Sequence, residues 1–539
     1  MKLYKTLSAL SLCVALPLTI YSQQVKWGAK HTKISEGLSY LKTNNGKLYL
    51  MPVGGEPYEV GDDLVGTTRK SAEAAGVEKW AFTDEYDKKT KTLSLAYNGQ
   101  EIAQGVDVGH CFLGWLGASK VFEKGNLGTG REPFYGGQGI IGAAVGNFKG
   151  ASRNTILSTN YDYKAFGEYW QMSLFYSPDK SKSILVYRKA PASKNDNVNK
   201  DVFVLKQLDA NYKVVAETEL TMPYTEVQIA FNAFGITDEG QVFYLAKHFL
   251  DKEKYEAIVG QVDMKAGKWG KEIPVDTKGK WLKTVSISVL GNNRLLINGL
   301  TTDDPDNKGI TFTGTLATQV DLATGKAEVQ THALPEVLFT WEKESKNYEP
   351  GGGVPPRLYI VQSINLEEDG ISYLICVNMG YLGSGDNPKV TTHSEGIVLL
   401  KTDYDGNLIF SRKINRKIIE TGPARAGGML LHRYKDDYYV VYCIGKDMVD
   451  LNPDTEPEKT YIKSGGFVMA CTRIGADGKD FETTVVSDEL TPDQIPFFGT
   501  MTATDNKIYL VEAKNSQVYA YNFGLQLAQD VKLGCITLK

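Results

Sequence analysis

Three stretches carry the residue types that grip ligands. They are Gly130-Arg131-Glu132-Pro133-Phe134-Tyr135, the run from Phe339-Thr340-Trp341-Glu342 through Asn347-Tyr348-Glu349-Pro350-Gly351-Gly352-Gly353-Val354-Pro355-Pro356-Arg357, and Thr421-Gly422-Pro423-Ala424-Arg425-Ala426-Gly427-Gly428. Each joins Gly and Pro, the punctuation of loops, to an isolated aromatic, carboxylate or guanidinium, which is the usual material of a binding face on a rigid scaffold. If these loops meet at one end of a channel, Arg131, Trp341, Glu342, Arg357 and Arg425 line a site for a polar or anionic ligand. The plain alternative is a set of ordinary strand connectors with solvated charges. A sugar-cleaving enzyme would need two carboxylates facing each other across such a channel. Glu342 is the first candidate acid, and no second emerges, so no catalytic residue is assigned.

Other chemistries fail on context. Gly137-Gln138-Gly139-Ile140-Ile141-Gly142 matches GxGxxG, and Asp162 lies twenty residues beyond, but Pro133 precedes the motif and Gly146 and Gly150 interrupt the stretch after it. A dinucleotide site needs a strand before the glycines and a helix after them. Asp303-Asp304-Pro305-Asp306-Asn307-Lys308-Gly309 begins like a calcium loop but, counted from Asp304, has Lys308 at its fifth position and lacks the bidentate acid, since Thr315 occupies the twelfth. Asp450-Leu451-Asn452-Pro453-Asp454-Thr455-Glu456 lacks the required Gly, and both runs read as solvated hairpin loops. The six histidines show no HxxxH or HExxH spacing and no GxSxG occurs, so neither a local zinc site nor a nucleophile elbow is encoded. No metal and no cofactor is expected.

Those loops need a scaffold, and two interleaved patterns supply it. The first is a polar turn followed by β-formers: Asn45-Gly46 before Leu48-Tyr49-Leu50, Asp179-Lys180 before Ile184-Leu185-Val186, and Glu239-Gly240 before Val242-Phe243-Tyr244. It returns at Asn292-Asn293, Asp369-Gly370, Asp436-Asp437 and Asp505-Asn506. The second is a strand that ends in a tight turn, at Asp209-Ala210-Asn211, Asp263 to Gly267, Asp321 to Gly325, Asp403 to Gly406 and, more loosely, Gly475-Ala476-Asp477-Gly478. From Lys182 onward the first pattern recurs at 240, 293, 370, 437 and 506, a loose period of about 55 to 75 residues. The second follows the first by 23 to 38 residues, which leaves room for an inner and an outer hairpin in each unit.

Four-stranded antiparallel units repeated six to eight times make a β-propeller, because each blade buries its faces against its neighbours. The expected fold is therefore all-β, a propeller of about seven four-stranded blades, with tandem β-sandwich domains as the alternative. Strands around Val25 to Lys33 should complete the final unit and latch the ring. Residues 50–170 form an irregular part with insertions, and Thr68 to Lys79 is the one convincing helical stretch. The propeller is expected to span residues 23–539.

The first 22 residues read as a secretory signal peptide: Lys2 and Lys5 form a positive start, Leu7 to Ile20 an apolar run, and Ser22 the small residue before the cut. Removing those two lysines takes the formal net charge from −4 to −6, so there is no basic footprint for nucleic acid. Beyond the signal, Cys111, Cys376, Cys443, Cys471 and Cys535 form neither a CxxC nor an even disulfide framework, and a Cys443–Cys471 bridge is left open.

With these turn-plus-strand copies and the signal segment, the chain resembles secreted bacterial β-propeller-type proteins of unknown function. The resemblance implies a periplasmic, outer-membrane-associated or extracellular monomer. Its partner would be an unknown protein or glycan ligand, with no transmembrane span in the mature chain and a possible peripheral association with the envelope. Three function classes are compatible with it: a binding scaffold first, then a carbohydrate-active enzyme (hydrolase or lyase), then a structural component of an envelope assembly.

Overall fold

The computed structural model describes residues 24–31, 38–52, 56–71, 74–75, 80–82, 92–97, 100–107, 172–188, 198–225, 228–250, 254–290, 293–303, 312–338, 358–382, 390–421, 429–446, 466–490, 494–496, 501–515 and 528–538. Apart from one 3-10 turn at Glu336–Leu338, every regular element among them is a strand, and every pairing is antiparallel. The strands form seven sheets, numbered here in chain order.

Sheets 3 to 7 are four-stranded. Sheet 3 holds Met172–Tyr176, Lys182–Arg188, Val202–Asp209 and Val214–Thr221. Sheet 4 holds Ile229–Ile236, Val242–Phe249, Tyr255–Asp263 and Lys268–Val275, and sheet 5 holds Trp281–Val289, Arg294–Thr302, Gly314–Asp321 and Lys326–Ala333. Leu358–Glu367, Gly370–Leu382, Val390–Thr402 and Leu408–Thr421 make sheet 6, and Met429–Tyr434, Asp437–Gly445, Phe467–Ile474 and Phe481–Val485 make sheet 7. Sheet 2 is three-stranded, from Trp80–Phe82, Thr92–Tyr97 and Gln100–Asp107.

Sheet 1 has nine strands and is two meanders joined by a single pair, Leu38 opposite Ala528. One meander is Leu38–Asn44, Lys47–Pro52, Tyr58–Val60 and Thr67–Arg69. The other runs from Gln494–Pro496 and Thr502–Thr504, which share one edge of Lys507–Asn515, through Ala528–Thr537 to Gln24–His31. The strand near the N-terminus thus closes the C-terminal unit, as its sequence position suggests. Counted as sheets there are seven; counting the composite sheet as two units gives eight, inside the expected range.

Both kinds of turn fall where the repeats require. All seven turns of the first pattern link the first and second strands of a unit, and all five of the second link the third and fourth. The Asn45-Gly46 turn has both residues at positive φ, 49° and 74°, the backbone that a two-residue hairpin needs and that Asn-Gly favours. In the second pattern the Asp side chain caps its own turn. Asp263 Oδ1 accepts from the N–H groups of Lys265 and Ala266 at 3.1 and 2.9 Å, and Asp321 Oδ1 from those of Ala323 and Thr324 at 2.8 and 2.9 Å. These acids serve turn geometry.

Continuous apolar runs mark strands buried on both faces. In Asp437–Gly445, Tyr438, Val440, Tyr442 and Ile444 pack toward sheet 6, while Tyr439, Val441 and Cys443 pack toward sheet 1. The same alternation places one apolar core between sheets 3 and 4, one between 4 and 5, and one between 5 and 6. First strands of successive units also lie side by side: Met172–Tyr176 with Ile229–Ile236, then Trp281–Val289, then Leu358–Glu367. Thr502–Thr504 meets Leu38–Asn44, bringing the C-terminal unit against the N-terminal one. This is a β-propeller.

One element differs from expectation. Thr67–Arg69 is a strand paired with Tyr58–Val60, so the proposed helix over Thr68 to Lys79 does not begin there. A helix of twelve residues with little tertiary burial is marginal, and Thr is at home in a paired strand. Cys376, Cys443, Cys471 and Cys535 are buried, and none of these four is in a disulfide. Val441 stands opposite Cys471, and Cys443 opposite Met469. No helix among the described residues is long and apolar enough to cross a membrane.

Candidate functional site

A four-strand antiparallel meander sorts its own loops. Links between strands one and two and between three and four fall at one end; the middle link and the connectors to neighbouring sheets fall at the other. Hydrogen bonds between units show that the sheets stand the same way up. At the turn end, the Asp179 N–H donates to Asp238 Oδ1 at 3.0 Å, Gln261 Nε2 donates to the Leu322 carbonyl at 2.6 Å, and His432 Nε2 lies 2.9 Å from the Asp505 carbonyl. At the opposite end, Lys247 Nζ donates to the Leu282 carbonyl at 2.7 Å. In sheet 1 and sheets 3 to 7 the turn end has links of two to six residues, whereas the connector end has links of up to 24, between Ala333 and Leu358.

Arg131, Trp341, Glu342, Arg357 and Arg425 all lie outside the described residues, as do the GxGxxG run and the Asp450 to Glu456 loop. Their flanking strands are described. Leu358–Glu367 opens sheet 6, Leu408–Thr421 closes it, Met429–Tyr434 opens sheet 7, and Met172–Tyr176 opens sheet 3. First strands begin, and fourth strands finish, at the connector end, so the segments 339–357 and 422–428, which bear Trp341, Glu342, Arg357 and Arg425, join the scaffold on that side at both ends. Asp303 begins the other acidic loop and is engaged by Lys280 Nζ at 2.5 Å.

A cluster of described residues runs from the middle of sheet 4 to its connector end. Tyr244, Gly260 and Glu272 occupy one row across three neighbouring strands. Tyr244 lies flat over Gly260, where a Cβ would stand 2.0 Å from Tyr244 Cζ, and reaches Glu272 Oε1 with its hydroxyl at 2.8 Å. Glycine is thus required by close approach. The other carboxylate oxygen, Oε2, accepts from the Tyr224 hydroxyl at 2.7 Å, and Tyr224 belongs to the connector between sheets 3 and 4. His248 packs its ring on Tyr224, with centroids 4.2 Å apart.

Burial, and then the bond to Glu272, pushes the Tyr224 phenol up to about 12. Burial followed by the Glu272 charge pushes Tyr244 up further. Both phenols therefore remain proton donors to Glu272 near neutral pH.

On the other face of sheet 4, Tyr255 packs against Trp281 with centroids 4.7 Å apart and against Phe249 at 6.2 Å. Lys247 Nζ stands 5.0 Å over the Tyr255 ring. The Tyr255 hydroxyl accepts from the Leu282 N–H at 2.8 Å and donates to the Lys280 carbonyl at 3.2 Å, tying sheets 4 and 5 together.

The turn end carries charge of a different kind. Glu367 sits at the tip of the first hairpin of sheet 6, where Lys401 Nζ approaches it at 2.6 Å and Arg433 Nη1 from sheet 7 at 2.8 Å. Tyr438 and Ser372 donate their hydroxyls to the same carboxylate, and Tyr404 donates to the Glu367 carbonyl. Asp369 takes the second bonds of both cations, at 2.7 Å from Lys401 and 2.9 Å from Arg433. The Arg433 hydrogen bond, with Lys401 behind it, holds the Asp369 carboxyl at about 2. Lys401 and Glu367 are both buried, so this is an inter-blade staple with its charges compensated. No group of three or more His, Cys, Asp and Glu among the described residues is placed to hold a metal.

Sequence reasoning missed Tyr224, His248, Glu272 and the Glu367 network. Their spacings are long and irregular, and only the cross-strand register brings them together. The one local hint was Gly260 inside the otherwise strand-like run Tyr255–Asp263.

No family model and no curated protein matches the chain. Among solved structures it is similar to cobalt-substituted Synechocystis apocarotenoid oxygenase, at 12% identity over 83% of this chain and 70% of that one, with a TM-score of 0.31. It is also similar to the WD40 domain of SCAP from fission yeast (9% identity, 96% and 98% covered, TM-score 0.30). A third is a protein of unknown function from Bacteroides caccae (11% identity, 73% and 94% covered, TM-score 0.26). At these scores the fold rests on the sheets and cores above, and none of the three lends its activity.

Proposed function

We propose that this protein is a binding scaffold of the cell envelope, exported by a signal peptide over residues 1–22, in which residues 23–539 form a single monomeric propeller that takes a protein or glycan ligand at its connector end. The observation that supports this reading most is the sorting of links, with short turns at one end and the segments bearing Trp341, Glu342, Arg357 and Arg425 joined at the other. Variable loops on a rigid scaffold are where binding residues concentrate. In this reading Arg131, Arg357 and Arg425 meet anionic or hydroxylated groups, Trp341 supplies a stacking face, and Glu342 accepts hydrogen bonds.

The test is a screen of the purified mature protein against arrays of glycans and envelope proteins, with product analysis for every glycan bound. Binding without turnover is expected, weakened at least tenfold by Trp341→Ala or Arg425→Ala. Turnover of any glycan would replace the scaffold with an enzyme. Intact-mass measurement of protein recovered from the cell envelope should give a chain beginning at Gln23; a chain that keeps residues 1–22 would overturn the export reading.

A further inference from the structure

Four described aromatic residues form a rim at the connector end of sheet 4. We infer that Tyr224, His248, Tyr255 and Trp281 form a subsite for a neutral glycan, with pyranose rings stacking on two aromatic platforms on either side of the tip of the Val242–Phe249 and Tyr255–Asp263 hairpin. This deepens the binding reading above and rests on it.

Three observations carry the inference. First, the platforms are fixed in advance. Tyr224 is held by its hydroxyl on Glu272 Oε2 at 2.7 Å and by its ring on His248 at 4.2 Å; Tyr255 is held by Leu282 and Lys280 and packs on Trp281 at 4.7 Å. A ring already immobilised loses little further freedom when a ligand covers it, so stacking yields more net affinity.

Second, Tyr224, His248, Phe249, Tyr255 and Trp281 are all partly exposed, and Leu250 beside them is 57% exposed. Phe203, Phe234 and Tyr244 between sheets 3 and 4 are buried, whereas the rim rings keep part of their surface open to solvent.

Third, the charge and hydrogen bonding of the rim suit an uncharged polyol. Lys278 pairs with Asp276 at 2.7 Å and Lys280 with Asp303 at 2.5 Å beside Trp281, while Glu272 and Glu256 set carboxylates beside Tyr224 and His248, so an anionic sugar is disfavoured there. The His248 ring contacts Tyr224 and makes no hydrogen bond to another described residue, which leaves its nitrogens for ligand hydroxyls. Aromatic faces for the apolar side of a sugar ring, with a few placed polar groups for its hydroxyls, are the chemistry that recognises such a ligand.

The experiment is titration calorimetry on the full mature chain with cellohexaose, maltohexaose, xylohexaose and chitohexaose, and with polygalacturonate as the anionic comparison. At least one neutral hexasaccharide should bind, quench Trp fluorescence, and bind at least tenfold more weakly to Tyr224→Ala and to Trp281→Ala. Tyr224→Phe, which keeps the ring and loses the Glu272 bond, should lose less than Tyr224→Ala, and circular dichroism with thermal melting confirms that each variant is folded. The inference is overturned if no neutral hexasaccharide binds, or if both alanine variants bind within threefold of the parent. Loss of binding in Trp341→Ala or Arg425→Ala alone, with the rim variants unaffected, also overturns it while leaving the binding-scaffold reading in place. Failure of every array ligand would remove that broader reading instead.

Discussion

At the residue scale, the Glu367 network is the clearest electrostatic device in the molecule. Two buried charges, Lys401 and Glu367, are tolerated only because each has several partners. Replacing Lys401 by Met leaves Glu367 with Arg433, Tyr438 and Ser372, and should cost about 2 to 3 kcal/mol in urea unfolding at neutral pH. Asp369 adds a pH dependence of definite sign. Its folded carboxyl is held at about 2, below its ordinary value, so its contribution is complete above about pH 4 and is lost as pH falls toward 2. The urea midpoint should therefore drop across that window, and drop less in Asp369→Asn. An equal acid limb in the variant would detach Asp369 from the effect. None of these partners was legible in the sequence, because Glu367 and Arg433 are brought together by blade packing. The turn aspartates were legible, since Asp263 and Asp321 bond to groups only two and three residues away.

At the element scale, both turn patterns were readable because turn chemistry is local, and they fall where spacing placed them. The continuous apolar runs were readable for the same reason: a strand buried on both faces needs no alternation. The stretch from Thr68 misled because its helix-forming composition carries no record of the strand Tyr58–Val60 waiting beside it. Gly260 offers the sharpest test at this scale. Gly260→Ala would drive a methyl into the Tyr244 ring, expel it from Glu272, and cost about 1 to 3 kcal/mol, read by urea unfolding together with loss of near-ultraviolet tyrosine dichroism. Unchanged dichroism would mean that Tyr244 does not cross Gly260 in solution.

At the scale of the whole molecule, the strand Gln24–His31 holds three parts together. It pairs with Ala528–Thr537, its Trp27 indole donates to the Val486 carbonyl of the segment after sheet 7 at 2.8 Å, and Lys26 Nζ donates to the Asp62 carbonyl of the N-terminal meander at 2.6 Å. Deleting residues 24–31 uncovers an edge of Ala528–Thr537, so the shortened chain should melt lower and self-associate, as light scattering and thermal unfolding would show. A monomer with parental stability would contradict the latch. The connector end is the other property of the whole. Sequence marked its Gly and Pro loops, while only the topology of the sheets shows that 339–357 and 422–428 attach on one side.

Binding at the connector end is tested most directly by hydrogen–deuterium exchange on the unmodified mature protein, with and without the tightest-binding array ligand. Ligand should slow exchange in peptides covering 339–357, 422–428 and 222–228, and leave the turn peptides 237–241, 321–325 and 403–407 unchanged. Protection confined to those turn peptides would place binding at the opposite end and contradict the proposed site.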